Sequence, residues 1–439
     1  MRATGRFLFA SLFFIGVLGM TITGATLYVR IMYLGGFLLI VNWLLARISL
    51  RSLHMERQAR SLRASVGDIF EESFELFNPS YIPRLYVEVL NESSLPLASG
   101  SRLLTWIGGR ERRTYVARTW LTRRGAFPLG PTTISSGDPF GFFILKHTFQ
   151  PGSSLLVLPL IIQVMDFPSL AGLLPGGKAI QRKSFEVTPH ASGIREYNHG
   201  DALKRIHWNS TARRGKLMVK EFEQDPQSEI WIFLDAQRFV QAELKYDVPK
   251  LRDSWIFSHR PEIHLPSSTL EYGVSLAASL AHYFIVQRLA VGFVTDGPVF
   301  TVIPAERSER QESKVLETLA FVTGDGKLPL SSLVDLQSPQ MPLGSSAVLI
   351  TSSAMDDVVL AVGLLQKRNL RPIVLLLMAN SFGGVGGSDE LAVKLELRGV
   401  PVCKVYNNAN LGDVLAEFAT THQHQENRSW QTHPSTLSI

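Results

Sequence analysis

From Phe7 to Ala46 the chain carries a single charged residue, Arg30. An apolar run of this length is poorly suited to water, and a membrane-spanning helix needs about 20 apolar residues, so the run holds two. The pattern predicts one helix from about Phe7 to Thr23 and a second from about Leu27 to Ala46, with Gly24 and its neighbouring threonines at the turn. Arg30 lies near a helix end, where its side chain can reach the headgroups. Arg2 and Arg6 precede the first helix, and Arg47, Arg51, Arg57, Arg60 and Arg63 follow the second. Positive residues collect on the cytoplasmic side, so both ends of this transmembrane hairpin are expected there, as in a multi-pass plasma-membrane protein. The competing reading is a cleaved signal peptide ending near Gly24-Ala25. It would leave the second run as an anchor with its basic flank on the wrong side.

The remaining length suits two or three domains, since the chain has 439 residues and a domain usually takes about 100–200. Net charge is +6, the isoelectric point is near 9.4 and the mean hydropathy is +0.11. Arginines flanking a membrane anchor explain this mild basicity as well as a nucleic-acid partner would. The lone cysteine, Cys403, forbids an intramolecular disulfide, suits a reducing compartment and fits a buried position near a strand end. With no CxxC and no Cys/His cluster, neither a zinc site nor another cofactor is expected.

Residues 64–160 are expected to be β-rich and to form a small β-sandwich. The clearest strand is "LYVEVL", and Gly137-Asp138-Pro139-Phe140-Gly141 reads as a tight turn with an aromatic plug. Residues 161–228 read as a linker followed by a polar signature segment. From Glu229 to about 420, short apolar runs beginning with Ile230–Asp235 alternate with helical stretches. The expected helices are about 268–288, 309–321, 356–367 and 388–397, with a last one from about Leu411. This alternation predicts a doubly wound α/β domain with a mostly parallel sheet. The polar tail from about Thr421 is expected to be disordered.

The strand order in sequence resembles that of a von Willebrand factor A-type domain. Members with a metal site carry DxSxS after the first strand and a Thr/Ser-Asp-Gly after the fourth. Here Asp235 is kept, Gln237 and Phe239 replace the serines, and the fourth strand ends Thr351-Ser352-Ser353 without a carboxylate. Thr295-Asp296-Gly297 follows the second strand, so its match is accidental. A Mg²⁺ site needs several hard oxygen ligands, and the resemblance therefore implies a degenerate metal position at Asp235. The long stretch Gln237–Ser267 would lie over that position.

The densest polar window is Gly193–Glu223. It holds Arg195-Glu196-Tyr197, Gly200-Asp201, Ile206-His207-Trp208, Ala212-Arg213 and Leu217-Met218-Val219-Lys220-Glu221-Phe222. These residues resemble the signature of the domain-of-unknown-function 58 family of bacterial membrane proteins. "GDPFGFF", "LLVLP" and the two-helix anchor match the same family. The resemblance implies an inner-membrane protein without an established activity. It also implies partners: MoxR-type AAA+ ATPases and other von Willebrand A or membrane proteins.

Three roles are open to the window. As a hydrolase, His207 and Asp201 would form an acid/base pair beside Glu196 or Glu221. That chemistry also needs a nucleophile or metal and an oxyanion stabiliser, and the chain has no GxSxG, catalytic Cys or HExxH. As a structural clasp, Asp201 would cap a helix over "ALKRIHW", Arg195 and Arg213 would pair with Glu196, Asp201 or Glu221, and Ile206 and Trp208 would pack beneath. As a docking surface, Tyr197, Trp208 and Arg213 are residue types enriched at interface hot spots. No nucleic acid is expected, because acids interleave the basic residues. Without a Walker A sequence, any ATP-driven step falls to a partner. The expectation is a non-enzymatic, membrane-anchored interaction or assembly factor. The hydrolase and a metal-dependent von Willebrand A-type binder are its alternatives.

Overall fold

The computed structural model describes residues 4–50, 53–138, 143–168, 191–197, 206–222, 229–244 and 265–431. They fall into two compact units, one built mainly of Met1–Leu160 and the other mainly of Ile161–Tyr246, Leu265–Val315 and Val322–Ile439.

The first unit opens with helices α1 (Thr4–Thr23) and α2 (Thr26–Ser49), joined at Gly24-Ala25. Gly24 adopts φ +63°, a left-handed turn open to glycine at no cost. The helices pack side by side through small residues: a Cβ on Gly16 would meet the Met32 backbone, and one on Gly35 would meet that of Phe13. By length and composition, Thr26–Ser49 is the one described helix able to cross a membrane, and Phe13–Thr23 is a shorter apolar helix.

Strands β1 (His54–Ala59), β3 (Ile69–Phe77) and β6 (Arg112–Trp120) form one antiparallel sheet in the order β1-β3-β6, and β2 (Arg63–Ser65) lies between β1 and β3 in the chain. A second sheet has the order β5-β4-β8-β9, from β4 (Arg84–Asn91), β5 (Arg102–Ile107), β8 (Thr132–Gly137) and β9 (Ile144–Phe149). A third, small sheet joins β2, β10 (Ser154–Leu158) and β7 (Gly125–Pro128). Phe74, Leu76 and Tyr115 of the first sheet share one core with Val87, Val89, Ile107 and Ile134 of the second, so the two close as a sandwich. Burial along β3 alternates strictly, as a half-buried strand requires. Glu72 on the inward face is answered by Arg57, whose Nε donates to it at 2.7 Å. Strand structure begins at His54, where the sequence reading placed only a basic flank. In the expected turn, Asp138 accepts from the Phe143 backbone N–H at 2.5 Å, and 139–142, which hold the aromatic plug, lie outside the described residues.

In the second unit, β11 (Ala191–Glu196), α3 (Trp208–Arg214) and β12 (Met218–Phe222) precede a sheet of six strands. Its strands are β13 (Glu229–Leu234), β14 (Ala290–Asp296), β15 (Phe300–Glu306), β16 (Ser346–Thr351), β17 (Arg371–Leu377) and β18 (Val402–Val405). The order is β15-β14-β13-β16-β17-β18, all parallel except the β14–β15 pair. Helices α4 (Thr269–Val286), α5 (Glu309–Phe321), α6 (Leu330–Gln337), α7 (Asp357–Lys367), α8 (Ser388–Glu396) and α9 (Leu411–Gln431) connect and follow the strands. α6, α7 and α8 bury Leu333, Val362 and Leu391 against Trp231 and Phe233 on one face. α4 covers the other, where Gly273 lies against Leu234 and Leu377. Central β13 is buried on both faces from Ile230 to Leu234, as its unbroken apolar run predicts.

Two differences from the sequence reading have local causes. α6 was not expected; it starts behind Pro329 and buries Leu330, Leu333 and Val334 at helical spacing. α9 continues to Gln431, past the point where a disordered tail was expected. From Thr421 to Gln431 the chain has neither Gly nor Pro, and Pro434 is the next breaker.

Candidate functional site

Two places in the second unit hold the residues the sequence singled out. The first is the signature segment. β11 and β12 pair antiparallel, setting Arg195 opposite Val219 and Gly193 opposite Glu221. Tyr197 N–H donates to the Leu217 carbonyl at 2.8 Å and His207 N–H to that of Met218 at 2.8 Å, so both strand ends are pinned to the hairpin. Ile206, Met218 and Val219 are buried. Gly200 and Asp201 lie outside the described residues, as do the side chains of Arg195, Lys220 and Glu221.

α3 sits on this hairpin with both ends fixed. His207 is its N-cap: Nδ1 accepts from the Ser210 backbone N–H at 3.2 Å and pairs with Ser210 Oγ at 2.8 Å. Accepting at Nδ1 places the neutral ring's proton on Nε2. At the other end Gly215 takes φ +67° and closes the helix with a bond to the Thr211 carbonyl. Thr211 Oγ1 also accepts from Met218 N–H at 3.0 Å, tying helix to strand.

This geometry bears on three expectations. α3 starts at Trp208 with His207 as cap, and Ile206 lies in a β-bridge, so no helix runs unbroken through "ALKRIHW"; 201–205, where the helix start behind Asp201 was expected, lie outside the described residues. Trp208 does not pack beneath; it is 68% exposed at the start of the seven-residue α3. Glu196 bonds Lys216 at 3.0 Å, a pairing the sequence reading did not consider, and Arg213 and Arg214 are exposed in the last turn of α3.

The second place is the carboxyl edge of the six-stranded sheet. From the adjacent central strands β13 and β16 the chain winds outward in opposite directions, which makes their ends the switch point where open α/β sheets bind ligands. Asp235 stands there, fully buried. Thr351 Oγ1 donates to its Oδ2 at 2.7 Å, and Gln237 N–H donates to its Oδ1 at 3.0 Å. Thr351 Oγ1 in turn accepts from Ser353 N–H at 2.9 Å, and Ser353 Oγ donates to Asp357 Oδ1 at 3.0 Å. Gln241 Nε2 donates to the Asp235 carbonyl at 2.9 Å and its Oε1 accepts from Thr269 Oγ1 at 2.8 Å.

Burial pushes the Asp235 carboxyl up to about 6; the Thr351 and Gln237 donors oppose the rise and nearby Asp357 adds to it. Burial also raises Asp357. The crevice is therefore bridged by its own side chains. Gln237 contributes only its backbone to Asp235, and Phe239 is exposed, so neither replaces the hydroxyls of a metal site. Among the described residues no group of three or more His, Cys, Asp or Glu is placed to hold a metal.

Thr295 and Asp296 serve the scaffold: Thr295 Oγ1 donates to the Leu234 carbonyl, and Asp296 Oδ2 accepts from Lys327 and Leu328 N–H. The stretch Gln237–Ser267 is closed at its base by the Leu244 N–H to Ser267 carbonyl bond; 245–264 lie outside the described residues. The sequence missed Thr351, Ser353 and Asp357 as partners of Asp235, because only strand register brings them together. A separate groove of about 560 Å³ runs along β18, lined by Val402, Lys404, Glu417 and His422 among others. Burial lifts the Cys403 thiol there to about 12, so it is not a reactive nucleophile.

The comparisons bear on the first place and on the base of the second. Residues 193–242 match the family described as protein of unknown function DUF58. The match covers the hairpin, α3, β13 and Asp235. The chain is also similar to the uncharacterized protein YeaD of Bacillus subtilis, 23% identical over 370 residues, which are 77% of this chain and 82% of that protein. Among solved structures it matches the CARDB domain of a Pyrococcus furiosus protein with di-metal ions at 11% identity, covering 24% of this chain and 92% of that one, with a TM-score of 0.18. It also matches a Vibrio harveyi exo-β-N-acetylglucosaminidase at 8% identity, covering 74% and 57%, with a TM-score of 0.17. Neither likeness is close enough to bear on fold or activity.

Proposed function

We propose that this chain is a membrane-anchored, non-enzymatic interaction factor of the DUF58 family that docks a partner protein on the exposed face of α3. The observation that carries this is Trp208, 68% exposed at the start of a helix that is capped at both ends and ends in the exposed Arg213 and Arg214. A large aromatic and two guanidinium groups on one pre-ordered helix suit an interface hot spot, because little entropy is lost when they are covered. The arginines favour an acidic patch on the partner. Following the family resemblance, we assign that partner to the MoxR-type AAA+ ATPases, which would supply the ATP-driven step.

The anchor is α1 and α2, read as a hairpin that crosses the plasma membrane twice with the bulk of the chain in the cytoplasm. Strand order β15-β14-β13-β16-β17-β18 with one antiparallel edge pair favours a von Willebrand A-type reading of the sheet. In that reading Asp235 is the remnant of a metal position. A hydrolase built on His207 is disfavoured by the use of its Nδ1 as a helix cap.

The test is a crosslinking pull-down of the intact protein from its native membrane, with Trp208→Ala and Arg213→Glu variants checked for folding by circular dichroism. Recovery of an AAA+ ATPase with the wild type and its loss with folded variants is the expected result. Equal recovery with both variants would remove the docking surface from α3.

A further inference from the structure

The β-sandwich presents an aromatic–arginine surface at the end from which the chain leaves α2. Strand register places it. His54, the first residue of β1, pairs with Phe77, and Phe77 pairs with Arg112. Arg84 pairs with Ile107. The loops 78–83 and 108–111 are therefore at the β1-start end of the sandwich. The link from Ser49 to His54 spans at most about 18 Å, at roughly 3.5 Å per residue, and Leu50 and Leu53 within it pack on the sandwich core. α2 also packs against β8 and β9.

These two loops are locked together. Buried Asn78 donates through Nδ2 to the carbonyls of Ile82, at 3.0 Å, and Gly108, at 2.8 Å. Arg110 N–H donates to the Ser80 carbonyl at 2.9 Å, and Asn78 N–H to that of Glu111 at 3.0 Å. Gly109 fits because a Cβ there would strike the Tyr81 carbonyl. On this rigid base Tyr81 is 75% exposed, Trp106 60% and Ile82 48%. The Arg110 guanidinium lies 4.1 Å from the centre of the Tyr81 ring. Aromatic rings held in water beside an arginine are costly on a soluble surface, yet this combination fits a bilayer's interfacial layer, where rings sit at headgroup level and arginine meets phosphate. The last turns of α2 repeat the pairing, with Arg47 over the Trp43 ring at 5.5 Å.

We propose that Tyr81, Ile82, Trp106 and Arg110 form a second membrane contact, seated in the headgroup layer of a bilayer containing anionic phospholipid. The inference rests on the anchor reading of α2. Such a contact would hold the sandwich against the membrane surface, because a rigid second attachment removes the tilt that one linker allows.

The test uses the full-length Cys403→Ser protein in vesicles of phosphatidylcholine with or without phosphatidylglycerol. A fluorophore is attached at Ile82→Cys, at Leu62→Cys in the opposite loop end, or at Ile40→Cys within α2. Nitroxide carried on the lipid headgroup or on the acyl chain is the quencher. The expected result is headgroup quenching at position 82 that increases with phosphatidylglycerol, little quenching at 62, and acyl-chain quenching at 40. Arg110→Glu should abolish the increment from phosphatidylglycerol. If position 40 is quenched while 82 stays at the level of 62, the second contact is overturned and the anchor stands. If position 40 is not quenched either, both fall. Quenching at 82 indifferent to phosphatidylglycerol and to Arg110→Glu would overturn the recognition of anionic headgroups.

Discussion

The crevice at Asp235 and the hairpin carrying α3 hold opposite combinations of chemistry and access. At Asp235 the residue types of a site stand at the switch point of the sheet, but Thr351 and Gln237 consume the carboxylate and burial excludes water. At α3 access is open, yet His207, a group suited to acid/base work, spends its Nδ1 on the helix end. The difference separates residues whose polar groups are answered inside the fold from residues left exposed to solvent. A buried carboxylate answered by its neighbours builds structure; an exposed tryptophan on a helix capped at both ends is what the docking proposal rests on.

The largest effect expected from this contrast is on stability at the crevice. Thr351→Val keeps the shape, removes the donor to Asp235 and leaves Ser353 N–H without its acceptor. Loss of a charge-assisted bond together with a stranded buried N–H should cost about 3–5 kcal/mol in chemical denaturation. A cost below about 1 kcal/mol would mean that the crevice is wet and open.

The pH dependence follows from the same carboxyl. The folded protein holds the Asp235 proton more tightly than the unfolded chain, since burial raises it from 3.8 to about 6. Its contribution to stability is complete below about pH 4 and is lost as pH rises through about 6. The loss is on the order of 3 kcal/mol at 1.36 kcal/mol per pKa unit. Burial-raised Asp357 acts with the same sign. Asp235→Asn should flatten the urea midpoint between pH 4 and 6. An unchanged profile would show that Asp235 is solvated.

Smaller effects belong to the hairpin. Gly215→Ala meets no atom within 4 Å but must adopt φ +67°, so it should destabilise by about 1 kcal/mol through backbone strain alone. Trp208→Ala should change stability by no more than about 0.5 kcal/mol, since the ring is mostly in water. A thermal melt that drops sharply for Trp208→Ala would turn α3 into an internal clasp.

How much of this was legible in the sequence depended on range. The alternation of apolar runs and helical stretches after Glu229 gave the α/β class, and five of the helices lie within about two residues of their expected positions. The pattern also exposed Asp235 at a strand end. It hid the partners of that residue, because Thr351 lies 116 positions away and only sheet register joins them. Locally, the start of α3 was misread for two reasons. Histidine is an uncommon cap, and "ALKRIHW" has a composition that suits a longer helix. Trp208 was expected to be buried on composition alone, and only the folded segment shows its ring 68% exposed. The loops at Tyr81 and Trp106 escaped notice because their chemistry exists only where two distant turns meet.

The most direct test of the docking claim compares the two regions in one experiment. A photo-crosslinking amino acid is placed at Trp208 or at Phe239, which is 83% exposed beside the crevice, in the full-length protein in intact cells. Adducts with a second protein from position 208 and none from 239 are the expected result. Adducts from 239 with position 208 silent would contradict the account and return the function to the carboxyl edge of the sheet.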